Sequence, residues 1–168
     1  PGLYREADKS KTNYVYYDTA NSRWACEDFR LTDAKPLPIG LDFIAARATY
    51  ERTFAASGKA TICLPYELPA NGFKAYTLSG GDNSAVHFAD AKDKLEAYKP
   101  YLITADGVPQ LGGENIQVKA YKADVLKQTA AGTGHSFTGT VAGLDNAAAA
   151  AANAYILQDD GKFHKVTT

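Results

Sequence analysis

Phe43-Ile44-Ala45-Ala46-Arg47-Ala48-Thr49-Tyr50-Glu51-Arg52-Thr53-Phe54 is the stretch on which the fold turns. Ile44, Ala46, Ala48 and Tyr50 alternate with Arg47, Thr49 and Glu51, and side chains that alternate this way line opposite faces of an extended strand. The pattern predicts a long, half-buried strand. Residues 60–64, Ala60-Thr61-Ile62-Cys63-Leu64, are almost continuously apolar and lie between Ser57-Gly58 and Pro65. That is how a central strand reads when the proline ends its pairing.

Working outward, further strands are predicted at 74–78, 85–89, 101–104, 116–121 and 136–141. Pro69-Ala70-Asn71-Gly72, Ser79-Gly80-Gly81-Asp82-Asn83, Asp106-Gly107 and Leu111-Gly112-Gly113 separate them with residues that tolerate turn geometry. The clearest local signal is a hairpin of 154–158 and 162–166 around Asp159-Asp160-Gly161, because Asp-Gly favours the tight turns that join antiparallel strands. Ahead of Phe43, residues 13–17 and 23–31 read as two more strands, followed by a connector marked by Pro36 and Pro38. Helix is scarce. Asp145-Asn146 can cap the alanines 147–152 for a turn or two, and 121–131 is a weaker helical candidate.

With 168 residues, 45% hydrophobic and 22% charged, the chain has enough apolar material for one ordinary domain. A formal net charge of -1 argues against an electrostatic nucleic-acid binder, and Lys92, Lys94, Lys99, Lys119, Lys122 and Lys127 are interspersed with acids as on a solvated surface. No apolar run approaches the roughly 18 residues of a membrane span, and Pro1-Gly2-Leu3-Tyr4-Arg5 has no apolar signal core. The absence of methionine, position 1 included, leads us to expect a piece of a longer precursor. The expected fold is all-β: an antiparallel β-sandwich of jelly-roll or immunoglobulin-like size with an N-terminal β-hairpin. Residues 1–40 would form that hairpin and its connector, packed on a core of 41–168 in one structural domain.

The run Trp24-Ala25-Cys26-Glu27-Asp28-Phe29-Arg30-Leu31-Thr32-Asp33, then Pro36, Phe43-Ile44-Ala45 and Tyr50-Glu51-Arg52-Thr53-Phe54, resembles an uncharacterised module of Bacteroidetes surface proteins. The similarity continues through Ala60-Thr61-Ile62-Cys63-Leu64-Pro65-Tyr66, Tyr76-Thr77-Leu78, Lys99-Pro100-Tyr101-Leu102-Ile103, Tyr155-Ile156-Leu157 and Asp160-Gly161-Lys162-Phe163, covering most of residues 24–166. Such modules sit near leucine-rich or immunoglobulin-like repeats in secreted or lipid-anchored proteins of gut and oral anaerobes. The resemblance implies a β-rich accessory domain, exported to the cell surface, with no catalytic residues. Members continue past the final hairpin with another strand, whereas this chain stops at Thr168.

Reactive constellations are hard to find. The G-x-S-x-G turn of a serine nucleophile is absent, and Gly132-Thr133-Gly134 lacks the Lys-Ser/Thr ending and strand-to-helix context of a phosphate loop. His87, His135 and His164 are scattered, while Asp90, Asp93, Asp159 and Asp160 suit turns better than a calcium loop. Glu27, Glu51, Glu67, Glu96 and Glu114 offer carboxylates that nothing pairs for glycoside hydrolysis. Cys26 and Cys63 read as buried small hydrophobes, with a disulfide between them as the alternative in an exporting compartment.

Aromatic residues are the remaining candidates. Tyr14, Tyr16, Tyr17 and Trp24 cluster in a polar hairpin, where alternation puts Tyr14 and Tyr16 on one face and Tyr17 on the other. Such a cluster could anchor a protein partner or stack on sugar rings; the plainer alternative is a lid or a joint to a neighbouring domain. The leading expectation is a non-catalytic accessory or adhesion module without a cofactor. Its partners would be other domains of the same surface protein, a host or bacterial surface protein, or a glycan. A carbohydrate-binding module stands second, and a glycoside hydrolase-like enzyme a distant third.

Overall fold

The computed structural model describes residues 9–33, 35, 39–122, 128–130, 134–140 and 144–167. They are all-β apart from one six-residue helix. Four strands, β1 (Val15–Asp18), β2 (Arg23–Thr32), β3 (Phe43–Glu51) and β10 (Gly113–Val118), form a first sheet in the order β1-β2-β3-β10. A second sheet has the order β4-β9-β6-β7, from β4 (Lys59–Ile62), β6 (Phe73–Gly81), β7 (Val86–Asp90) and β9 (Tyr101–Ala105). Three small pairs complete the set: β5 (Leu68–Pro69) with β8 (Lys94–Leu95), β11 (Gln128–Ala130) with β12 (Ser136–Thr138), and β13 (Tyr155–Leu157) with β14 (Phe163–Lys165).

One apolar cluster joins the two four-stranded sheets. Val15, Cys26, Phe29, Phe43, Ala45, Ala48 and Val118 enter it from the first, and Ala60, Ile62, Phe73, Ala75, Tyr101 and Ile103 from the second. Phe29 and Phe43 meet edge to face at 5.3 Å, a geometry that sets the positive rim of one ring against the negative face of the other. Tyr66 is fully buried, so its hydroxyl needs a partner and donates to the Leu111 carbonyl at 2.6 Å. Phe88 of β7 stacks on Phe163 and meets Phe137 edge to face, which ties the two small hairpins to the second sheet.

The local expectations hold for most strands, and the non-local ones need correction. β2 pairs with β3 in parallel, so the first sheet is mixed rather than uniformly antiparallel. That parallel ladder runs from Ala25↔Ile44 to Thr32↔Glu51, so the N-terminal hairpin is built into the sheet instead of lying on it. β4 occupies an edge, not the centre; the interior strands are β9 and β6, and in β9 Tyr101, Leu102 and Ile103 are buried in succession on both faces.

The stretch 43–54 also departs from simple alternation. Phe43 and Ala45 are buried, Ala46 is exposed, and burial resumes at Ala48, so the inward face shifts by one residue. β2 makes the same shift between Cys26 and Phe29. At this level Glu27 and Ala46 leave the β2–β3 ladder, and Asn115 leaves the β3–β10 ladder with a left-handed φ of 53°. One irregularity thus crosses three strands. Just before β10, Gly112 passes so close to β3 that a Cβ would stand 2.0 Å from the Ala48 carbonyl oxygen, and only glycine fits.

The helix α1 (Asn146–Ala151) forms as expected, with Asp145 accepting a hydrogen bond from the Ala148 N–H at 2.8 Å. The helical candidate at 121–131 is overturned where it is described: residues 128–130 are strand β11, because they find an antiparallel partner in β12. Residues 123–127 and 131, Pro36, Pro38 and Val141 of the expected segments lie outside the described residues.

Candidate functional site

Two regions gather functional side chains. The first is the β1–β2 hairpin, where Tyr17 pairs directly across the ladder with Trp24 and Tyr16 with Ala25. Tyr17 and Trp24 are 48% and 37% exposed and meet edge to face at 5.3 Å. Tyr14 and Tyr16 stack together at 6.3 Å with their planes 18° apart. All four sequence-derived candidates therefore fall into two aromatic pairs, set by the alternation of the strand.

Local chemistry makes this hairpin stiff. The Asp18 carboxylate accepts from the Asn21 side chain at 2.7 Å and from the N–H groups of Ala20 and Asn21, which closes the turn and holds its pKa below the ordinary carboxylate value. At the other end, the Asn13 side chain mimics a strand residue: its oxygen accepts from the Arg30 N–H at 2.7 Å and its amide donates to the Arg30 carbonyl at 3.1 Å. Tyr16 donates a short hydrogen bond to Glu27, which pushes the phenol up to about 12, and Lys9 sits 4.5 Å above the Tyr16 ring.

The second region is an open cleft of about 310 Å³ between the far ends of β2, β3 and β4 and the strand β12. Its polar wall is built from Asp33, Tyr50 and Arg52. Arg52 Nη1 donates to Asp33, the Tyr50 hydroxyl donates to the same carboxylate oxygen at 3.3 Å, and desolvation raises the Tyr50 pKa. Arg52 Nε is buried and finds no acceptor. Tyr98, Tyr121 and Phe137 also line it; Tyr98 and Tyr121 meet at 5.9 Å, and the Tyr98 hydroxyl donates to the Lys119 carbonyl at 2.6 Å. Sequence reading passes over this cleft, because Asp33 and Arg52 are brought together only by the parallel pairing of β2 with β3. A weak signal existed in Tyr50-x-Arg52, two residues of one strand parity at its end.

Cys26 and Cys63 stand as free thiols. Cys26 faces the core from β2, whereas Cys63 follows β4 on the cleft wall, and burial raises both thiol pKa values, that of Cys63 to about 11. Thiols so protonated are poor nucleophiles. Among the described residues no three His, Cys, Asp or Glu side chains converge as a metal ligand set. His135 contacts the Asp82 carbonyl at 3.1 Å and His164 contacts Asp160 at 2.8 Å. Of the glutamates considered for hydrolysis, Glu27 is bonded to Tyr16, Glu67 pairs with Lys94 and Glu96 with Lys99. No helix among the described residues is long and apolar enough to cross a membrane.

Protein-family models, curated proteins and solved structures were each compared with this chain, and none of them matches it.

Proposed function

We propose that the chain is a non-catalytic contact module of an exported bacterial surface protein, and that it docks a partner protein through the β1–β2 hairpin. The observation that carries this reading is the exposed Tyr17–Trp24 pair on a turn already closed by Asp18. Tryptophan and tyrosine supply much of the energy of protein interfaces, and a hairpin stiff before binding loses little entropy when it docks. The resemblance of residues 24–166 to an accessory module of surface proteins supports the address.

Carbohydrate binding is the second reading. It is favoured by the polar groups of Asp18 and Asn21 beside the two rings, which could take sugar hydroxyls while Trp24 stacks on the ring.

Retention of the immobilised chain on protein-coated or cell surfaces, measured beside a glycan array, tests both. Under the contact reading Trp24→Ala weakens surface retention about 30-fold, as expected for an interface anchor worth about 2 kcal/mol, and soluble glycans do not compete. Under the second reading the array shows hits that Trp24→Ala removes. Retention and array signals that both ignore the substitution would rule out the hairpin as the contact.

A further inference from the structure

We infer that the cleft between the two sheets binds a small monoanion carrying one ring, a single-ring carboxylate, with Arg52 as its anchor. This inference stands apart from the hairpin reading, since none of Tyr14, Tyr16, Tyr17 and Trp24 lines the cleft.

Three observations lead to it. At about 310 Å³ the cleft has the size of a small-molecule site. Among the described residues its charged lining consists of Arg52, Lys35 and Asp33, two cations against one carboxylate, which favours an anionic ligand. The guanidinium is also underused: Asp33 engages Nη1, while the Nε–H is shielded from solvent and has no acceptor. A buried donor without a partner is rare in a folded protein and calls for one. A carboxylate suits it, because arginine presents two parallel N–H groups that match both carboxylate oxygens. Binding therefore requires the Arg52 side chain, 21% exposed, to turn so that Nε faces the cleft.

The aromatic and hydroxyl lining sets the body of the ligand. Tyr121, 39% exposed and backed by the buried Tyr98, and Phe137 offer aromatic surface, and Thr61 and Thr138 offer hydroxyls, so a ring finds both stacking and hydrogen bonds there. Acetate would satisfy the charge and leave that lining empty. A neutral sugar would do the reverse. Two sources share the required chemistry, an aromatic carboxylate and a uronic acid.

The test is an amide chemical-shift titration of the full chain with benzoate, methyl glucuronide, methyl glucoside and acetate in parallel. Benzoate or methyl glucuronide should saturate in the millimolar range with shifts at Arg52, Thr61 and Thr138, and whichever saturates first identifies the source. Arg52→Gln should weaken that binding about tenfold or more, the loss of a charge-assisted pair. Thr140→Trp, at an exposed lining position, should block entry while the fold is unchanged. The inference is overturned if neither ring carboxylate saturates, if acetate or the glucoside binds as well, or if Thr140→Trp leaves the affinity intact. A folded Arg52→Gln chain that binds normally would overturn it too.

Discussion

The chain has a hairpin near each end, and they differ in everything but local grammar. β1–β2 opens into the four-stranded sheet: β2 is ten residues long, pairs with β3 along its length, and places Cys26 and Phe29 in the core. β13–β14 has three residues per strand, pairs only with itself, and leaves Tyr155 and Ile156 56% and 52% exposed. It is tied down chiefly by Phe163 against Phe88 and by Gly161, where a Cβ would stand 2.9 Å from Ser57. Yet its Asp-Gly turn is the plainer signal in the sequence. Turn chemistry specifies where a hairpin bends; burial specifies what it contributes to stability.

The sharpest way to break this comparison is Phe29→Ala. That ring is 2% exposed, and its truncation should cost about 3–5 kcal/mol through lost burial and a residual cavity. Denaturant unfolding should show the whole transition moving, because a domain has only about 5–15 kcal/mol in all. Phe163→Ala should cost about 1 kcal/mol and act locally, since only a half-buried ring contact is lost. Hydrogen exchange should then quicken in β13–β14 while the β2–β3 amides keep their protection. An equal shift of the global midpoint by both variants would erase the distinction between the hairpins.

The smallest effect concerns Tyr16. Its hydrogen bond to Glu27 favours the protonated phenol and raises its pKa from 10.0 to about 12. A raised folded pKa means that the contribution is complete below pH 10 and is lost as pH climbs through about 12. Tyr16→Phe should remove this alkaline component and alter neutral-pH stability by about 0.5 kcal/mol, the low end for an exposed hydrogen bond. Trp24, the sole tryptophan, lies on the same hairpin, so the difference between the wild-type and variant fluorescence titrations reads it directly. Superimposable curves would show that the Tyr16–Glu27 bond does nothing for the hairpin.

Strand positions were legible because they depend on neighbours in sequence. Alternation placed β2, β3 and β6 within a few residues, Asp145 was visible as a cap before its alanines, and Tyr14, Tyr16, Tyr17 and Trp24 could be assigned to a common hairpin. The faces of β3 were only half legible. Ala48 is buried as expected, but Ala46 is exposed, because the irregularity shared with Glu27 and Asn115 shifts the inward face across three strands at once. No single strand encodes such a shift. The cleft was invisible for the same reason: Asp33, Arg52 and Tyr98 have no common local pattern.

By itself the amino-acid sequence determined an all-β chain, the sites of its turns, and a balanced surface charge, since side-chain alternation, glycine and proline geometry, and composition act over a few residues. Tertiary structure alone decided that β2 runs parallel to β3, that β4 lies at an edge, that both thiols stay free, and that Arg52 meets Asp33 in a cleft. Those outcomes depend on which distant strands share a hydrogen-bond ladder. That choice is made by the burial of the whole core, to which each segment contributes only a part.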